Sequence, residues 1–287
     1  MKDTTPCIHP VLVLLWILLL SGSGAYSQSL VDGFMKGKGQ GSAVLSYSWE
    51  RYDQFYAGAS KTDAPPPYGG QITTQSISVY GIVGLADALD LVVNVPYITA
   101  QGRGDRSRTD QSVGGLQDAA LMLKWRPLKF ENNQGKLSLL AAAGGATPLS
   151  NYAADSVLSI GNRATRIDGR LITQYVLSSG VFAELQAGYS VRNHPVPNAT
   201  LLSAKVGFAA SSFYLAVWSE TQISDRDAPD IGAAPFSETR VNYTQMGISA
   251  YYPFSSSVGV SLGAAQYLAG RNVGSATRVS GGIIYNF

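Results

Sequence analysis

The chain has 287 residues with 21 lysines and arginines against 19 acids, a formal charge of +2, and charged residues make up only 14% of it. A near-neutral balance excludes a nucleic-acid partner, which would need a basic excess, and 45% hydrophobic residues at so low a charge exclude a disordered chain. One Cys and two His build neither a Cys/His metal centre nor a disulfide framework, so no cofactor or metal is expected, and 31 Gly with 16 Tyr suit an all-β chain.

The first thirty residues read as an address. Lys2 gives a positive start that Asp3 offsets, and Ile8 to Leu20 is an apolar run broken only by His9 and Pro10. The small residues Ser21 to Ser27 follow, and Ala25 with Ser27 fits the small-x-small rule for cleavage before Gln28. A membrane anchor is the competing reading, but the run is shorter than the ~20 residues that span a bilayer. The expected division is a cleaved signal peptide over 1–27, a periplasmic N-terminal segment over 28–39 and a barrel over 40–287. Cys7 and His9 leave with the peptide, and His194 stays as the one mature histidine. Beyond it no second apolar run is long enough for a helical span; Leu137 to Ala146 is short and rich in Ala and Gly. An exported chain without such a helix is either soluble beyond the inner membrane or an outer-membrane barrel.

From there the chain alternates with a period of two. Twelve strands are expected, near 40–56, 71–84, 89–100, 115–127, 136–147, 167–177, 181–192, 200–210, 212–223, 239–252, 257–268 and 276–287. In the fourth, Gln117, Ala119, Leu121, Leu123 and Trp125 share one face, opposite Asp118, Lys124 and Arg126. In the seventh, Val181, Ala183, Leu185, Ala187, Tyr189 and Val191 oppose Glu184, Gln186, Gly188 and Ser190. Leu202, Ala204, Val206 and Phe208 alternate with Ser203, Lys205 and Gly207, and Val258, Val260 and Leu262 with Gly259, Ser261 and Gly263. Segments of about ten residues with one apolar and one polar or small face match the transmembrane β-strand.

Connection lengths alternate as well. Short links lie at Leu85–Ala88, Ser178–Gly180, Ser211 and Pro253–Ser256, with Leu128–Gly135 somewhat longer; the others are long and polar: Ala57–Gly70 with Pro65, Pro66 and Pro67, Gln101–Gly114 with Arg103, Asp105, Arg106 and Arg108, Pro148–Arg166, Asn193–Ala199, Ser224–Glu238 and Ala269–Ser275. Short on one side and long on the other is the outer-membrane arrangement, and an even strand count puts both termini in the periplasm. The fold expected is an all-β transmembrane antiparallel barrel of twelve strands, with ten as the alternative if the Gly-rich 136–147 segment and its neighbour form loops.

Toward the C-terminus, Val279, Ile283, Tyr285 and Phe287 share one face. Bacterial outer-membrane barrels typically end in such a strand, and this resemblance implies that Ile283, Tyr285 and Phe287 are an assembly signal read by the barrel-assembly machinery. A second resemblance rests on Tyr80-Gly81-Ile82-Val83-Gly84-Leu85-Ala86-Asp87-Ala88-Leu89-Asp90-Leu91, on Val95-Pro96-Tyr97, and on Gly114-Gly115-Leu116-Gln117-Asp118 running to Lys124-Trp125. Over Tyr80 to Arg126 the chain resembles the outer-membrane barrel family named for the meta-pathway of phenol degradation, with Gln117 interrupting the family's Gly-Asp pair. The resemblance implies a barrel in outer-membrane lipid that passes small, often aromatic or hydrophobic, solutes in a Gram-negative bacterium; the family name does not imply an enzyme.

The inward registers put Glu50, Asp90, Asp118, Lys124, Arg126, Arg170, Glu184, Arg192, Lys205, Glu220, Arg240 and Arg278 in the lumen, acids and bases nearly matched. Such charges must be paired or hydrated. Twelve strands about 4.8 Å apart and tilted about 40° enclose a backbone cylinder roughly 24 Å wide, so the expectation is a narrow charged pore, with a salt-bridged plug or a loop-binding barrel as alternatives. Asp118, Lys124, Arg126, Arg170, Glu184, Lys205 and Glu220 are expected to form one network at mid-height. Trp49, Tyr97, Trp125, Tyr175, Tyr189, Phe213, Tyr252, Tyr285 and Phe287 are expected at the ends of the lipid-facing band. A lipid hydrolase is the remaining alternative; His194, between Asn193 and Pro195, has no local serine or acid motif beside it, and no catalytic residue is assigned.

Overall fold

The computed structural model describes residues 29–63, 70–103, 110–156, 158–232 and 235–287. The segment 1–27, Gln28, Pro65, Pro66, Pro67, Asp105, Arg106 and Arg108 lie outside the described residues.

The elements in chain order are β1 (Gly41–Tyr52), β2 (Gln54–Ala57), β3 (Ser60–Asp63), β4 (Gln71–Ala86), β5 (Leu89–Arg103), β6 (Gln111–Leu116), β7 (Asp118–Asn132) and β8 (Gly135–Pro148). They continue as β9 (Arg166–Leu177), β10 (Val181–Arg192), β11 (Ala199–Ala209), β12 (Tyr214–Ser224), a 3-10 turn at Phe236–Glu238, β13 (Asn242–Pro253), β14 (Val258–Arg271), β15 (Val273–Gly274) and β16 (Thr277–Asn286). Each long strand pairs antiparallel with the next, and β1 pairs with both β4 and β16, from Ser42 opposite Asn286 to Arg51 opposite Thr277, which closes the sheet. A closed ring leaves no strand edge without a partner, as crossing a bilayer requires.

The sheet contains thirteen strands; β6 and β7 both pair with β5 and are two halves of one wall strand, so the barrel has twelve. The break is a bulge at Gln117. Tyr97 faces Leu116, yet Asn94 faces Ala120, one residue out of step, and the Gln117 N–H donates to the Pro96 carbonyl at 2.9 Å. Pro96 has no N–H to give the ladder, which is where an extra residue is best tolerated. The bulge overturns the expected face of Gln117: it shares the inside with Asp118, while Leu121, Leu123 and Trp125 stay outside.

The first strand is also shorter than the expected 40–56. At Asp53 the strand breaks: the pairing with β4 has ended at Tyr52 opposite Ile72, and on the other side the register shifts by one residue, from Arg51 opposite Thr277 to Phe55 opposite Gly274. The chain bends, and β2 finds new partners in β3 and β15, which gives the Ala57–Gly70 connection a hairpin of its own.

Outward side chains form an apolar band in which Leu171 is 69% exposed and Leu185 65%. A soluble protein would not leave such a surface bare; it suits lipid. Tyr97, Trp125, Tyr175, Tyr189, Phe213, Tyr252, Tyr285 and Phe287 are exposed on this face and Trp49 is half-buried there. Trp218 points inward instead and donates from Nε1 to Ser249 Oγ at 2.9 Å. The core therefore sits inside the ring.

Candidate functional site

The interior is partly filled by the chain's own N-terminal residues. From Ser29 the segment runs down the lumen to Lys38 at the rim formed by the short turns, then reverses into β1. Its steps follow the inward positions of β10 in order: Ser29 Oγ donates to Gln186 Oε1 at 2.8 Å, the Val31 carbonyl accepts from Gln186 Nε2 at 2.9 Å and the Gly33 N–H reaches Glu184 Oε2 at 2.9 Å. Phe34 then packs edge-on against Phe182 with centroids 5.2 Å apart. Val31 is 2% exposed within a cluster of Ile82, Val92, Met122, Leu140 and Ile172. Within the stretch expected as a periplasmic N-terminal segment over 28–39, Leu30, Val31 and Met35 thus supply part of the barrel's core.

A buried ion cluster pins it. Lys124 and Asp90 are both fully buried, directly opposite each other on β7 and β5, and their charged atoms are 3.3 Å apart. Lys124 Nζ also donates to the Phe34 carbonyl at 2.5 Å and lies 3.5 Å from Asp32. Asp90 in turn accepts the Lys36 N–H at 3.2 Å. Lys205 pairs with Glu184 at 3.8 Å, and Glu184 also accepts from Gln174 and Gln186. Charges this deeply buried persist only when partners replace the lost water, and part of the replacement here comes from the N-terminal backbone, through the Gly33 and Lys36 N–H groups and the Phe34 carbonyl.

Toward the long loops a second group gathers. Arg166 bridges Asp118 at 3.1 Å and Asp168 at 3.2 Å, and the Tyr152 hydroxyl donates to Asp118. Arg192 donates to Ser190 and Gln222. Tyr152 belongs to the connection between β8 and β9, which folds into the barrel mouth: Leu158 is buried against Ile72, and Ile160 against Ala100, with its carbonyl accepting from Gln117 Nε2 at 2.5 Å. The apolar residues Tyr152, Ala154, Leu158, Ile160 and Ala164 spread through this connection were the sequence signal for its infolding.

Ten of the twelve lumen candidates face the interior, in separate groups. Asp90, Lys124, Glu184 and Lys205 lie with the N-terminal segment; Asp118 and Arg192 sit in the upper group; Arg170 donates to Ser29 Oγ at 2.8 Å, and Glu220 accepts from Gln245. Glu50 and Arg278 pair across β1 and β16. Arg126 is at the rim, donating to the Asp87 carbonyl at 3.0 Å after a bulge between Trp125 and Leu128 turns the strand. Arg240 lies above the wall with Arg271 and Asn272 around Asp230, and those bonds hold the Asp230 carboxyl well below the usual carboxylate range. The single mid-height network expected from the sequence is therefore divided. Among the described residues no cluster of three or more His, Cys, Asp or Glu is placed to hold a metal, and His194 is exposed in the connection between β10 and β11.

The infolded loop is latched to its neighbour. Asp155 accepts from both the hydroxyl and the N–H of Ser237, and these bonds hold its carboxyl below the ordinary 3.8. A depressed folded pKa means the latch contributes above 3.8 and is lost as the pH falls through the lowered value. Hydrogen exchange at the Ser237 amide, taken relative to the intrinsic amide rate at each pH, should accordingly be slow at pH 5 to 7 and lose that protection as the pH falls through the lowered carboxyl value. Asp155→Asn should speed it at neutral pH; exchange with no acid-dependent step would show that the carboxylate does not hold the loop.

Between the segment, which lines it through Ser29, Val31, Asp32 and Lys36, and the inner wall of β4, β1, β16, β14 and β13 lies a cavity of about 870 Å³. Its lining reaches from Ser42 and Asn286 near the short turns to Tyr52, Ser159 and Gly274 near the long loops.

A search of curated proteins finds no match. Among solved structures, an outer membrane channel of Pseudomonas putida F1, termed COG4313, shares the fold at a TM-score of 0.72 and 16% identity, covering 91% of this chain and 100% of its own. The β domain of the Bordetella autotransporter Brka (TM-score 0.47, 13% identity, covering 87% of this chain and 100% of its own) and the translocator domain of autotransporter NalP from Neisseria meningitidis (TM-score 0.46, 10% identity, covering 88% and 89%) are more remote barrels. The family described as "Putative MetA-pathway of phenol degradation" matches residues 37–281, nearly the whole barrel, and the chain belongs to that family of outer-membrane β-barrels.

Proposed function

We propose that the protein is a channel of the bacterial outer membrane that passes small solutes beside its own N-terminal segment. The observation that carries this reading is the cavity of about 870 Å³, whose lining extends between the two ends of the barrel along the wall that the segment leaves uncovered. The segment narrows the bore, and the ion pairs beneath it keep it in place. Short turns and both termini face the periplasm, and the signal peptide is removed after Ser27. The strand ending in Ile283, Tyr285 and Phe287 serves recognition by the barrel-assembly machinery, its outer face lying against lipid.

Planar-bilayer recording of the refolded protein tests the reading: discrete conductance steps in KCl are expected, small for a twelve-stranded barrel. Conductance at background would favour the second reading, a plugged structural barrel, which the deep burial of Val31 and its apolar cluster supports. Lipid hydrolysis abolished by His194→Ala would overturn both.

A further inference from the structure

The cavity's wall has a chemistry of its own. Two neighbouring cross-strand rows of it are built from serines: Ser48 opposite Ser76, and Ser46 opposite Ser78 on one side and Gly282 on the other, with Ser261 next beyond Gly282. Gly282 leaves the gap between Ser46 and Ser261 bare, since a Cβ there would stand 3.2 Å from each of their side chains. Several of these hydroxyls turn their protons to the protein. Ser46 donates to the Ser78 carbonyl and Ser261 to the Gly282 carbonyl, both at 3.4 Å, and Ser78 to Asn94 Oδ1 at 2.6 Å. A hydroxyl that donates into its wall still has lone pairs to offer, so the cavity meets a patch of neutral acceptors.

The charges reaching the cavity cancel. Asp32, Glu50 and Asp118 are balanced by Lys36, Arg166 and Arg278, and Glu50–Arg278 and Asp118–Arg166 are direct pairs. Lys36 stands apart at the short-turn end, donating to Ser42 Oγ at 2.6 Å; along the serine rows themselves an ion that gave up water would find neutral hydroxyls and the already paired Glu50 and Arg278. A solute with many O–H donors exchanges its water for serine oxygens at little cost. On either side of the serine rows stand rings, Tyr80 beside Val44 toward the short turns and Tyr267 beside Arg278 toward the loops, each lining the same cavity. Their faces suit the C–H side of a small polyol or sugar ring.

We infer that the serine-lined wall is a transit site for small uncharged polyhydroxylated solutes, of the size of sugar alcohols and monosaccharides. This deepens the channel reading and rests on it. The test is swelling of vesicles carrying the full refolded protein in three solutes of similar size and ring form: glucose, the glucuronate anion and the glucosamine cation. Glucose should enter about fivefold faster than either, the effect of one net hydrogen bond. Replacing Ser46, Ser48, Ser76 and Ser78 together by Ala should slow glucose entry by about the same factor while leaving KCl conductance within about twofold. The heat-modified gel shift of the folded barrel checks that the variant is intact, and the comparison of three solutes on the unaltered protein needs no variant at all. Equal rates for the three solutes, faster entry of a charged one, or unchanged glucose entry in the intact variant overturns the inference while the channel stands. Block of the KCl current by catechol at concentrations where sorbitol has no effect assigns the wall to aromatic solutes instead and also overturns it. Absence of both KCl conductance and swelling overturns the channel reading and this inference with it.

Discussion

Lys124→Met should lower the stability of the refolded barrel by about 3–5 kcal/mol, the usual cost of removing one partner from a buried ion pair. The size follows from what stays behind. Asp90 is fully buried, and without Lys124 its remaining partner is the Lys36 N–H at 3.2 Å. The same change removes the donor to the Phe34 carbonyl and the cation facing Asp32, so the segment loses its anchor as the wall loses its charge balance. Two readouts should move together: a lower denaturant midpoint in detergent, and larger, noisier conductance steps as the segment leaves the bore. Lys124→Met with Asp90→Leu should regain most of the stability, because removing both members of a buried pair is far cheaper than removing one, yet the conductance should stay raised. A single variant as stable as the parent would mean that water reaches Asp90 and that the pair does not hold the segment.

How far this could be seen in the sequence differs from one part to the next. The strands were legible because a barrel in lipid exaggerates the period-two signal: Leu185, Ala187 and Tyr189 face out while Glu184, Gln186 and Ser190 face in, and one face cannot tolerate the other's residues. The lumen charges were legible for the same reason, since Asp90, Lys124, Glu184 and Lys205 all fall on inward positions. Their partners were not. Val31 and Gly33 meet residues more than a hundred positions away, Gln186 and Glu184, and the ten residues from Ser29 to Lys38, with no long period, look like any exported linker. Bulges are the other blind spot. Alternation through Gln117 assigns it to lipid, and only the pairing of β6 and β7 on β5 shows that one residue is inserted there and that Gln117 and Asp118 both turn inward.

Gly84→Val should open the bore without touching a charge. At the rim the N-terminal segment crosses β4 so closely that a Cβ on Gly84 would stand 1.8 Å from the Gly37 carbonyl oxygen, an impossible approach. The crossing is fixed by backbone bonds on both sides of that residue, from the Gly39 N–H to the Gly84 carbonyl and from the Gly84 N–H to the Gln40 carbonyl, each 2.8 Å. Gly37 and Gly39 have φ of +84° and +77°, the left-handed region that other residues enter at a cost, and they make the reversal from lumen to β1. A valine at 84 has to push this turn off the rim, because β4 is held on both flanks by β1 and β5 and cannot yield. With the turn displaced, the segment above it is drawn out of register with Glu184 and Gln186, and the part of the lumen it occupied fills with water. Conductance should rise severalfold, while the strand content and the heat-modified gel shift remain those of the parent. Because Asp90, Lys124, Glu184 and Lys205 then face that water with their charges intact, the ion preference should shift along with the conductance, which separates this variant from Lys124→Met with Asp90→Leu, where two of those charges are gone. An unchanged conductance in a folded Gly84→Val barrel would mean that the turn can move aside while the segment stays seated, and that the pins around Lys124 alone set the width of the bore.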